Sequence, residues 1–145
     1  MERITFTEFF GLALKELALK QKDRKPCWLV EDAGKFHPKL KELKAKHAET
    51  LEPLRKLHFA TFGAFPYSSE LARTMDLLQQ SGSIKRENPD YNRFAPTVAD
   101  DTKEFIGKLK NEIFKNDEKA KQEFCDFVDG LKELLTESEK NKNEP

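Results

Sequence analysis

The chain has 145 residues, 37% apolar and 36% charged, with 26 Lys and Arg against 26 Asp and Glu and a formal net charge of zero. That balance suits one small, highly charged, helix-rich domain, and 12 Phe supply core weight that a disordered chain lacks. No apolar run approaches the roughly 18 residues needed to span a bilayer, and early charges break the basic-then-apolar plan of a secretion signal, so a cytoplasmic protein with no membrane partner is expected.

Cys27 and Cys125 belong to no Cys-x-x-Cys motif and are expected as buried, reduced thiols. The charge is unevenly spread. Residues 15–58 hold 12 Lys and Arg against 7 Asp and Glu, residues 66–97 hold 4 against 4, and residues 98–145 hold 9 against 13. A basic first half and an acidic tail either attract a polyanion, with the tail as competitor, or neutralise each other by packing.

Thr5-Phe-Thr-Glu8 is a capping box, and Phe6, Phe9, Phe10, Ala13, Leu14 and Leu17 follow at helical spacing, so a first helix is predicted to about Lys22. Gly11 is its weak spot. Cys27-Trp-Leu-Val30 is an apolar run too short to assign as strand or helix. His37-Pro38 reads as a helix start with Pro at the first position. Glu52-Pro53 splits the pattern that follows, and a second helix over residues 53–62 is predicted to end at Gly63. His47 and His58 fall in the apolar register of the pattern that runs from Leu40 to Thr61.

Ser68 is the N-cap of the next helix, with Glu70 at its positive end and Leu71, Thr74, Met75 and Leu78 inward. Gly82 ends it. Residues 84–87 and 91–95 are predicted as a hairpin around Asn88-Pro89-Asp90, anchored by Ile84 and Phe94. Thr97-Val-Ala-Asp100 restarts a helix. Ile106, Leu109, Ile113, Asn116, Ala120, Phe124, Phe127, Leu131 and Leu134 then recur in steps of three and four, as one very long helix or a pair broken near Asn116-Asp117. Such a stripe is either a dimer seam or an ordinary pair of core helices.

Three elements carry a family resemblance: Phe65-Pro-Tyr-Ser-Ser-Glu-Leu71, Leu78-Gln-Gln-Ser-Gly-Ser-Ile84 and Tyr91-Asn-Arg-Phe-Ala-Pro-Thr97. Together they resemble small winged-helix proteins with a Gly-Pro-Tyr-Ser-x-x-Leu turn, the YwgA-like proteins near the SocA-like (Panacea) antitoxin domains. The match covers about a quarter of the chain, and Phe65 stands where the family has glycine. The resemblance implies a winged helix and a lean toward regulation.

The fold expected is mainly α with one β-hairpin: a winged helix-turn-helix core with an N-terminal helix and a long C-terminal helix or helix pair. Residues 1–135 form one domain, with the hairpin at about 83–96 and a helical extension at about 98–135, and residues 136–145 are a disordered tail. In a DNA-bound winged helix the helix after the turn enters the major groove. Its exposed candidates are Ser68, Ser69, Arg73 and Thr74, with Lys85, Arg86 and Arg93 on the wing suited to phosphate. Glu70 and Asp76 share that helix and leave the segment neutral, which disfavours phosphate attraction. Lys35, Lys39, Lys41, Lys44 and Lys46 could extend a phosphate footprint or form a solvated face.

His37, His47 and His58 share no i, i+3 or i, i+4 pair, so no single-helix metal site is expected. Asp100-Asp101 and Asp117-Glu118 read as helix-start acids. No phosphate loop or nucleophile elbow is present, and no cofactor is expected. The leading expectation is a non-enzymatic regulatory domain that binds duplex DNA as a homodimer through its C-terminal helices. The alternative is a winged helix used for protein contact, antitoxin-like or adaptor.

Overall fold

A computed structural model describes residues 3–21, 26–87 and 90–136. Its elements are α1 Phe6–Lys20, β1 Leu29–Val30, α2 Ala33–His47, a 3-10 turn Glu52–Lys56, β2 Ala60–Phe62, β3 Phe65–Tyr67, α3 Ser69–Gln80, β4 Ile84–Arg86, β5 Arg93–Pro96, α4 Thr102–Phe114, α5 Glu118–Leu131 and a 3-10 turn Lys132–Leu134. The chain is mainly helical with two small antiparallel sheets, β1-β5-β4 and β2-β3. No helix among the described residues is long and apolar enough to cross a membrane.

The capping box forms as the sequence predicts. Glu8 N–H donates to Thr5 Oγ1 at 3.1 Å, and Thr5 N–H donates to Glu8 Oε1 at 3.2 Å. From there α1 is buried over most of its circumference, with Phe9, Phe10, Ala13 and Leu17 fully enclosed. It touches α3, α4, α5 and β5, so it is the axis of the core. Phe9 meets Phe124 edge-on at 5.7 Å between centroids and Phe127 at 5.3 Å.

The apolar stripe of the C-terminal helices is spent on this contact. Phe124, Phe127, Val128 and Leu131 are fully buried within the chain. The run is two helices, broken where Lys115 takes a positive φ of 48° and Asp117 caps α5 by accepting from Ala120 N–H. Cys27 is buried but Cys125 is partly exposed, and neither is in a disulfide.

Three predicted boundaries are corrected. α2 begins at Ala33, capped by Asp32, so Pro38 lies inside the helix and not at its start. Residues 53–62 are not a helix. After the 3-10 turn the chain forms β2, and Gly63, at φ 62°, makes the β2-β3 turn. α4 starts at Thr102, because Thr102 Oγ1 accepts from Ala99 N–H and closes a turn before the helix. Ile84 and Phe94 anchor the three-stranded sheet inward as predicted, in the register Leu29↔Phe94 and Ile84↔Pro96. Asn88-Pro89 and residues 137–145, the predicted turn and tail, lie outside the described residues.

Part of the charge asymmetry is neutralised inside the molecule. Lys39 pairs with Glu133 at 2.5 Å and Lys20 lies 3.7 Å from Asp129, while His47 Nδ1 stands 2.6 Å from Glu123 Oε2 as a hydrogen bond between α2 and α5. Where α2 crosses α5, a Cβ on Gly130 would stand 2.5 Å from Leu43 Cδ2. Gly130→Ala is therefore expected to destabilise the protein by about 1–2 kcal/mol, overpacking outweighing the gain in helix propensity. Denaturant unfolding measures this, and Leu43→Val should recover part of the loss in the double variant.

Candidate functional site

The site predicted from sequence is α3 with the β4-β5 wing. α3 is positioned from both ends. Ser68 Oγ caps it by accepting from Leu71 N–H at 3.2 Å, and Gly82, at φ 79°, terminates it with Ser83 N–H bonded to Leu78 O. Leu71, Thr74, Met75 and Leu78 face the core, as predicted.

Ser68 is buried, not exposed, and Thr74, read both as an inward residue and as an exposed candidate, is buried. Ser68 is consumed by the cap, and Thr74 Oγ1 lies 3.2 Å from Thr7 Oγ1 on α1. Ser69 and Arg73 do face solvent. Glu70 accepts from His58 N–H at 2.8 Å and from Ser68 Oγ; the His58 bond is the larger cause of its pKa falling below the usual carboxylate value. His58 itself is exposed, outside the predicted apolar register.

Arg86 is the largest departure. Its side chain is 6% exposed and donates to both oxygens of Glu31, at 3.1 and 2.5 Å, to Asp76 at 2.6 Å and to Gln79 at 3.1 Å. Its guanidinium also stands 4.8 Å from the Tyr91 ring centroid. Burial alone would lower the Arg86 pKa, but the bonds from Glu31 and Asp76 outweigh it and raise the pKa. Arg86 thus ties the β1-α2 junction to α3 and does not project toward a ligand.

Arg93 bonds Glu87 at 2.5 Å and stacks on Trp28 at 4.5 Å. Lys85 is exposed and sits 5.5 Å from the centroid of the same ring. In the upstream basic stretch, Lys39 is buried, Lys44 donates to Leu57 O and Lys46 pairs with Glu42, which leaves Lys35 and Lys41 as exposed cations without an ion pair among the described residues. No group of three metal-ligating side chains occurs among the described residues.

His37 was legible only as a helix start, yet it joins α2 to the turn before α3. It is 5% exposed, its ring stacks on Tyr67 at 4.3 Å and 6°, and its Nδ1 accepts from Ser68 N–H at 2.9 Å. Nδ1 as acceptor puts the proton of the neutral ring on Nε2. Burial lowers its pKa from 6.5 to about 4. Glu31 and Trp28 were also missed, because their partners lie more than 50 residues away and no local pattern marks such a pairing.

Two outcomes follow. Native His37 refuses a proton that the unfolded chain accepts below 6.5, so its contribution to stability is complete above pH 6.5 and lost as pH falls toward 4. Thermal melts across that window should show the decline, and His37→Gln should flatten it. Arg86→Met alone is expected to cost about 3–5 kcal/mol, since it strands Glu31, whereas Arg86→Met with Glu31→Leu should recover most of that in urea unfolding. No protein-family model, curated protein or solved structure was found to match the chain.

Proposed function

We propose that the protein is a non-enzymatic regulatory module on a winged-helix core whose α3 and wing contact a protein partner. The winged-helix reading is supported by β5 lying between β1 and β4 and by α3 leading directly into β4, although a 3-10 turn and the β2-β3 hairpin separate α2 from α3. The contact reading rests on one observation. Of the four cations on α3 and the wing, Arg86 and Arg93 are held by Glu31, Asp76 and Glu87 within the chain.

Phosphate neutralisation supplies most of the affinity of a duplex-binding protein. A head whose cations without an ion pair among the described residues are Arg73 and Lys85, beside Asp76 and Glu70, offers little of it. The same face presents Leu77 at 40% and Tyr91 at 41% exposure, which suits a protein contact. A catalytic role is disfavoured because the polar groups around α3 are engaged in caps and structural pairs: Ser68, His37 and Glu70 bond one another's elements.

Duplex DNA is the second reading, favoured by the exposure of Ser69 and Arg73 at the start of α3. The experiment places a photo-crosslinking residue at Leu77 in the native cells and titrates labelled duplex at low salt. A discrete protein adduct with no saturable duplex binding is expected. Tight, steeply salt-dependent duplex binding lost in Arg73→Ala with Lys85→Ala would contradict it.

A further inference from the structure

A groove of about 380 Å³ lies between α1, α4 and the C-terminal end of α3. α1 is its floor and α3 and α4 are its walls. Its lining is mostly apolar: Gly11, Leu12, Leu78, Ile106, Leu109 and Phe105. Phe105 stands 51% exposed at its edge, the most exposed large apolar side chain among the described residues. Gly11, which weakens α1 as a helix, sits on the floor, where a Cβ would press within 3.3 Å of Leu78 Cδ2 and make the groove shallower.

The polar groups are gathered at the ends. Lys15 lines one end with Ser81 and Ser83, and a second hollow of about 340 Å³ continues there past Thr102. Glu8 marks the other end. Among the described residues Lys15 makes no ion pair, although Lys20 and Lys110 on the same side of the core each find an acid. Asp101 lines the Lys15 end without pairing to it.

An apolar groove closed by one unmatched ammonium and hydroxyls is the arrangement that holds an aliphatic chain by its carboxylate. We propose that this groove binds a free aliphatic monocarboxylate, its chain along Gly11 and Leu78 and its carboxylate on Lys15. Glu8 at the far end repels the reverse orientation. A peptide is a poorer occupant, because its backbone needs polar partners along its length and the groove offers them only at its ends. The proposal is independent of the contact face of α3 and the wing, and either can fail alone.

Amide NMR of the full chain titrated with sodium octanoate tests it, with octanol and octylammonium as probes of the same chain length. Saturable shifts at Gly11, Ser83 and Leu109 are expected, with octanoate bound at least about tenfold more tightly than the other two. Lys15→Met should abolish that preference while leaving the rest of the spectrum in place, and Gly11→Leu should block all three probes. The absence of saturable shifts with octanoate, or an undiminished octanoate preference in Lys15→Met, would overturn the proposal.

Discussion

The burial of α1 is the constraint on which the rest of the structure depends. A helix with Phe6, Phe9, Phe10, Leu12, Ala13, Leu14, Leu17 and Ala18 all buried must be covered on nearly every side. Fully burying each large apolar side chain is worth about 1.5–3 kcal/mol, so the other elements are arranged to supply that cover. α5 closes one side through Phe124 and Phe127, β5 and α2 another through Phe94 and Phe36, and α3 and α4 the remainder. A groove beside Gly11 remains open along one flank.

Once α1 is covered this way, the C-terminal helices need no second copy to bury their stripe. Most of the apolar periodicity over residues 106–134 is buried in the core of a single chain, with Leu109 partly exposed in the groove. The same packing draws basic and acidic segments together, and Lys39–Glu133 neutralises a charge that looked available for a polyanion. Arg86 belongs to this internal accounting: it secures the junction between the sheet and α3 at the cost of a cation on the wing. A buried pair of this kind contributes little net stability and a good deal of geometry, since removing one partner strands the other.

Local chemistry made the helices legible. Thr5 and Glu8, Ser68, Gly82 and the apolar spacing of α1 and α3 each act over one or two turns, and each was read correctly. The β2-β3 hairpin was not, because Pro53 and the apolar residues after it fit a helix start as well as a 3-10 turn followed by a strand. Side-chain fates set by distant partners were the least visible. Nothing near Arg86 announces Glu31, so a residue assigned to the wing surface proved to be structural.

Arg86 is an internal clamp and not a surface cation. The Nε–Hε resonance of Arg86 in side-chain NMR tests this most directly. A sharp resonance at neutral pH, slow to exchange with water and unmoved by added duplex DNA, is the expected result. A resonance broadened by exchange like that of exposed Arg73, or displaced by duplex, would contradict the account.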